Sequence, residues 1–278
     1  MSLRQDIASS KLFAPVQSEG TLDISLHSSN AILVNLDKNE VLLDKNSEQI
    51  IYPASLTKMM TILVAIEHID DLQERIVLPR EIFDDLYQEN ASMAGFLPNE
   101  ELTLEDLLYG SMLPSGAEAT IGLAEYIAGS EQAFVKLMND KAQQLEMENT
   151  NFTNTTGLHN ANHYTTVKDI SLFLQYALMN QEFRNVYTAQ RYSIQSTNLH
   201  PEGITLTSRM FQNMSSSMLP QGEIVGGKTG YTDEAGLCLA SLAVVNGQEY
   251  ILVTAGAEGG PRTEQFNIVD AFSVYSAL

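Results

Sequence analysis

The chain has 278 residues, 44% hydrophobic and 18% charged, a composition that can bury a large core and is unlike that of a disordered tail. Fifteen Lys and Arg against 35 Asp and Glu give a net charge of −20, a surface that repels phosphate backbones and anionic headgroups and so argues against nucleic acid as a partner. The single cysteine, Cys238, excludes an intrachain disulfide and sits in an apolar run where burial is expected, and the longest mostly apolar run, Ala235 to Val245, is far shorter than the roughly 20 residues that span a bilayer.

Residues 1–20 read as an N-terminal extension whose start, Met1 to Asp6, lacks the apolar core of a signal peptide. Three short runs then favour strands, Leu22 to Leu26, Ala31 to Leu36 and Glu40 to Leu43, with Asp37-Lys-Asn39 as a hairpin turn. From Ser55 to Asp70, Leu56, Met59, Met60, Leu63 and Ile66 recur at helical spacing behind Pro53. Thr103-Leu-Glu-Asp106 and Thr166-Val-Lys-Asp169 read as capping boxes, and Ser130 heads a helix over Glu131 to Leu145. Beyond Gly222, apolar runs at Leu237 to Val245 and Tyr250 to Ala255 flank Asn246-Gly247, a strong hairpin signal. Phe266, Val269, Phe272 and Tyr275, three apart, close the chain as an amphipathic helix. Strands at both ends of a helical middle, about 55–190, with no linker or repeat, predict one α+β domain over 21–278.

Three short motifs carry chemistry. In Ser55-Leu-Thr-Lys58 the two polar residues share a helix face, which brings an amine to a hydroxyl; taken alone, the string is better explained as a Ser cap with a solvated Lys. Gly222 through Thr229 satisfies the phosphate-loop pattern literally, but β-prone Ile224 and Val225 lie inside the would-be loop and strands follow, so nucleotide binding is disfavoured. Ser115-Gly-Ala-Glu118 precedes an alanine-rich helix and doubles as a capping box. His159 and His163 have the spacing of metal ligands on a helix, yet they lie in an Asn-rich loop without an accompanying Glu, and neither a metal nor a cofactor is expected.

Taken together, a Ser-x-x-Lys, a serine-led motif and a Lys-Thr-Gly in that order form the set of the class A β-lactamases and penicillin-binding proteins. The chain most resembles the low-molecular-mass penicillin-binding proteins, the D-alanyl-D-alanine carboxypeptidases, through Tyr52-Pro-Ala-Ser-Leu-Thr-Lys-Met-Met-Thr61, Asn154-Thr-Thr-Gly-Leu158 with His163-Tyr-Thr-Thr166 and Asp169, and Val225-Gly-Gly-Lys-Thr-Gly-Tyr-Thr232. The resemblance implies a central antiparallel sheet with helices on both faces, Ser55 as nucleophile, Lys58 as base and Ser115 as proton relay. It further implies that Lys228, Thr229, Gly230 and Tyr231 bind substrate, with Ser55 and Tyr231 N–H groups as oxyanion donors; Arg262 is a further candidate for the substrate carboxylate, on its position after the last strand alone. The implied partners are peptidoglycan stem peptides ending in D-Ala-D-Ala and β-lactam antibiotics, on the cell-wall side of a bacterial membrane. One departure stands out: the family's second motif is usually Ser-x-Asn, whose amide helps hold the lysine and the substrate amide, and the third position here is Ala117. That change keeps a low-turnover binding module open as an alternative. A serine β-lactamase is the other, although no Glu-x-x-Leu-Asn stretch lies between Ser115 and Lys228.

Overall fold

The computed structural model describes residues 15–18 and 22–278. In chain order the elements are β1 (Val16–Gln17), β2 (Asn30–Asn35), β3 (Glu40–Lys45), a 3₁₀ turn (Ala54–Leu56), α1 (Thr57–His68), β4 (Arg75–Val77), α2 (Glu81–Gln88), β5 (Glu101–Thr103), α3 (Leu104–Met112), α4 (Ala117–Ala128) and α5 (Glu131–Gln144). There follow α6 (Val167–Ala177), α7 (Gln181–Thr188), β6 (Arg191–Ile194), β7 (Ile204–Thr207), α8 (Arg209–Gln212), β8 (Met218–Leu219), β9 (Gly222–Thr232), β10 (Gly236–Val245), β11 (Gln248–Ala257) and α9 (Phe266–Ser276).

The main sheet runs β1-β3-β2-β11-β10-β9-β8, so strands from the two ends of the chain meet at the β2–β11 seam, with Leu33 opposite Leu252. All its pairings are antiparallel except the two-residue contact of β1 with β3. Period-two alternation divides β2 between two cores. Ala31 and Leu33 face α9, with Ile268, Ala271 and Val274, while Ile32 and Val34 face the helical side that holds Met59, Ile62 and Leu63 of α1. The α+β expectation of an antiparallel sheet covered on both faces therefore holds.

Several local expectations need correction. Leu22 to Leu26 is not a strand; the run makes one ladder-like bond, Leu22 N–H to the Leu42 carbonyl at 2.8 Å. Residues 1–14 and 19–21 of the N-terminal extension lie outside the described residues. The helical middle is interrupted by the small β4–β5 pair, whose three-residue strands are too short to show a period in sequence. Thr103 and Asp106 form the full capping box, but Thr166 forms half of one, because Asp169 Oδ2 instead accepts from Asn149 N–H and Thr150 Oγ1. Cys238 is buried, as its apolar run requires.

At the far end of the sheet Asp270 of α9 is 1% exposed and accepts the backbone N–H groups of His27 (2.9 Å) and Ser28 (2.8 Å), which fixes the entry into β2. Asp270→Ala leaves both donors buried and unpaired, so the unfolding free energy should fall by about 2–3 kcal/mol. Urea unfolding measures this directly, and an unchanged midpoint would contradict the assignment.

Candidate active site

Ser55 sits in the 3₁₀ turn ahead of α1, whose N-cap is Leu56, so its hydroxyl does not cap the helix. The turn is held in an unusual shape: Ala54 has φ +47°, a left-handed value that costs a non-glycine residue about 1–2 kcal/mol. Two glycines make room for it. A Cβ on Gly157 would lie 1.9 Å from the Ala54 carbonyl oxygen, and one on Gly230 of β9 would lie 3.2 Å from Ser55 N. The Lys-Thr-Gly strand thus passes directly beside the serine backbone.

One turn of helix later, Lys58 is 2% exposed. Its Nζ lies 3.3 Å from Ser55 Oγ and donates to the Thr156 carbonyl at 2.5 Å. Burial above all, and then the charge of Arg209, bring its pKa down from 10.5 to about 7, against the opposing pull of Glu118 and Glu131. The Thr156 carbonyl is aimed by the Asn154–Leu158 loop, where Asn154 Oδ1 accepts from Thr156 N–H (3.2 Å) and Gly157 N–H (2.7 Å). Glu131 Oε1 accepts from Thr155 N–H and Oγ1, and Thr61 Oγ1 of α1 donates to the Thr155 carbonyl. Sequence reasoning missed the role of this carbonyl; the signal for it was the Asn-Thr-Thr-Gly turn string.

Ser115 has φ +69°, and its Oγ accepts from Lys228 Nζ at 2.9 Å. Its capping-box reading fails: the N-cap of α4 is Gly116, without a side-chain bond. Glu118 turns inward instead, its Oε1 accepting from the backbone N–H groups of Ala94, Gly95 and Phe96. Lys228, also 2% exposed, donates to the Thr229 carbonyl, and burial with the charges of Lys58 and Arg209 pushes its pKa well below the usual lysine value. Ser55 is thus paired with Lys58 and Ser115 with Lys228, Gly230 passes the Ser55 backbone, and Thr229 and Tyr231 flank Gly230 on β9, so residues 222–232 are strand rather than phosphate loop.

The remaining candidates fall elsewhere. His163 is 2% exposed; its Nδ1 accepts from Thr153 N–H, so Nε2 carries the proton and donates to Thr57 Oγ1 at 2.7 Å. Burial, with His159 and Lys58, brings its pKa to about 4, so it is a neutral strut under α1. His159 pairs with Glu234 at 3.6 Å, and no cluster of three metal-ligating side chains occurs among the described residues. Arg262 is exposed in the turn after β11, with no hydrogen bond or ion pair to β9 among the described residues.

The arrangement places a hydroxyl beside a deprotonable amine, with a second hydroxyl–amine pair close by, the parts needed for acyl transfer. Comparison with known proteins points the same way. A family model described as D-alanyl-D-alanine carboxypeptidase matches residues 16–259. The Bacillus subtilis D-alanyl-D-alanine carboxypeptidase DacF is 33% identical over 251 residues, which is 88% of this chain and 61% of that protein. The chain thus spans less than two thirds of that relative's length. The crystal structure of a Streptomyces DD-transpeptidase shares the fold at TM-score 0.82 and 24% identity, covering 93% of this chain and 100% of that one. A Mycobacterium tuberculosis D-alanyl-D-alanine carboxypeptidase does so at TM-score 0.76 and 24% identity, covering 95% and 96%.

Gly157→Ala tests how the serine turn is held. The new methyl group meets both a positive φ of +80° and the Ala54 carbonyl, so stability should drop by more than about 2 kcal/mol, more than the conformational cost alone. A melting temperature within a degree of the parent would show that the turn does not depend on this contact.

Proposed function

The chain belongs to the D-alanyl-D-alanine carboxypeptidase family, matched over residues 16–259, and from that premise we propose that it removes the terminal D-Ala from peptidoglycan stem peptides through an acyl ester on Ser55. The observation that carries this reading is the Lys58 amine, brought to a pKa of about 7 while within reach of Ser55 Oγ. In this reading residues 21–278 form the catalytic domain.

Substrate enters as an added strand. Along β9, β8 pairs only as far as Glu223, so from Ile224 onward the outer edge has no strand partner among the described residues. A peptide laid there passes Thr229 and Tyr231 and sets its scissile carbonyl over Ser55. Neutral Lys58 takes the Ser55 proton as Oγ attacks, and the developing oxyanion is met by the N–H groups of Ser55 and Tyr231, each worth about 10²- to 10³-fold. Ser115, hydrogen-bonded to Lys228, passes a proton to the departing D-Ala nitrogen, and the carboxylate of that D-Ala is held by Lys228 Nζ and the Thr229 hydroxyl. The C–N bond breaks, an ester remains on Ser55, and water then cleaves it with the same base. A β-lactam presents its ring carbonyl at the same place and forms the same ester.

The substrate puts the working protein on the cell-wall side of the membrane. No helix among the described residues is long and apolar enough to cross a bilayer.

Two outcomes follow. Ser55→Ala should abolish D-alanine release from a diacyl D-Ala-D-Ala peptide, a loss on the order of 10⁶, together with the single benzylpenicillin adduct that intact mass spectrometry should detect on the parent. Release or labelling that survives this change would sink the assignment. The acylation rate should also rise with pH, half-maximal near 7, because Lys58 acts only when deprotonated. Below that point the rate should fall about tenfold per pH unit. A flat profile between pH 5 and 9 would remove Lys58 as the base.

A further inference from the structure

Among the cations around Ser55, Arg209 has no part in the chemistry described so far. It opens α8, with its backbone N–H on the Leu113 carbonyl at 3.0 Å, two residues before Ser115. Its half-buried guanidinium makes one side-chain hydrogen bond among the described residues, from Nη1 to Ser92 Oγ at 3.1 Å. The Ser92 carbonyl in turn accepts from Ala117 N–H at 2.7 Å. A single residue, Ser92, therefore links the guanidinium to the backbone of Ala117, the first residue of α4.

The electrostatics locate the same head a second way. Its charge bears on both Lys58 and Lys228, and Glu118 is the anion that bears on it. A guanidinium this close to two buried lysines is offset in part by Glu118, and its one hydrogen bond goes to a neutral hydroxyl. An arginine fork has five N–H donors, and only one of them is engaged among the described residues.

Position 117 supplies no polar atom. An amide there would both accept from the lysine amine and donate to a peptide carbonyl passing over Ser115. The first half of that task is met by the Thr156 carbonyl, which already accepts from Lys58 Nζ. We propose that Arg209 meets the second half: it is a substrate-binding residue whose free guanidinium N–H groups hold the peptide carbonyl on the acyl side of the scissile bond. The assignment rests on the peptidase reading above and adds to it the residue that grips the acyl half of the peptide.

The test is a double-mutant cycle on Arg209→Met and Ala117→Asn, with D-alanine release from the diacyl D-Ala-D-Ala peptide measured for all four proteins. Methionine keeps the apolar stem and removes the donors. Arg209→Met should lower kcat/KM by about ten- to a hundredfold, as expected for a hydrogen bond from a charged donor, with KM raised. In the Ala117→Asn background the same change should cost less than about threefold, because the new amide donates in its place. Equal losses in both backgrounds, or no loss in either while the parent releases D-alanine, would overturn the role of Arg209. A parent that neither releases D-alanine nor is acylated by penicillin at Ser55 would overturn the peptidase reading itself and the proposal with it. Should Arg209→Met prove unstable alone, rescue of both stability and kcat/KM by Ala117→Asn would still support the assignment, and rescue of stability alone would count against it.

Discussion

The site is organised around the burial of two lysines that form no ion pair among the described residues. Lys58 and Lys228 are each 2% exposed, and their hydrogen bonds run to hydroxyls and carbonyls, not to carboxylates. Desolvation without an ion pair favours the neutral amine. For Lys58 the displacement from 10.5 to about 7 represents on the order of 5 kcal/mol of folding free energy at neutral pH. Between those two values the unfolded chain holds a proton that the folded chain has released, so this group's contribution to stability rises with pH across the window. That cost is what an amine base at neutral pH requires.

The rest of the fold supplies the rigidity that such burial needs. α1 is fixed on one side by Thr61 on the Thr155 carbonyl and by Thr57 on the neutral His163, and on the other by the packing of Met59, Ile62 and Leu63 against the sheet. The two serines both lie at positively twisted backbone, at Ser115 itself and at Ala54 just before Ser55. Strain of this kind persists only where neighbours over-determine it, and here Gly157, Gly230 and the Glu118-bound loop at 94–96 do so. Stability and reactivity are thus drawn from the same contacts.

Much of this was legible in the sequence because it depends on local spacing. The i, i+3 spacing of Ser55 and Lys58, the Asn246-Gly247 hairpin and the apolar run Ala31 to Leu36 are all local signals, and they fall on the 3₁₀ turn leading into α1, the β10–β11 hairpin and β2. What escaped was set by tertiary partners. Glu118 resembled a capping residue, yet its carboxylate is claimed by three backbone N–H groups from a distant loop. Asp169 was claimed in the same way by Asn149 and Thr150. The Thr156 carbonyl lay within the Asn-Thr-Thr-Gly string, but a backbone oxygen has no residue type to mark it, and Arg209 carries no motif at all, because its place depends on α8 folding onto the Leu113 carbonyl.

The central claim is that the Lys58 amine is neutral at working pH for reasons of burial. Its most direct measurement is the titration of the Lys58 ε-amine by NMR in the resting protein, with lysines labelled at Nζ and the resonance assigned by loss in Lys58→Met. A midpoint near 7 is predicted. A midpoint near 10, with an intact fold, would mean that the ammonium stays charged in the cleft and that the base for Ser55 has to be sought elsewhere.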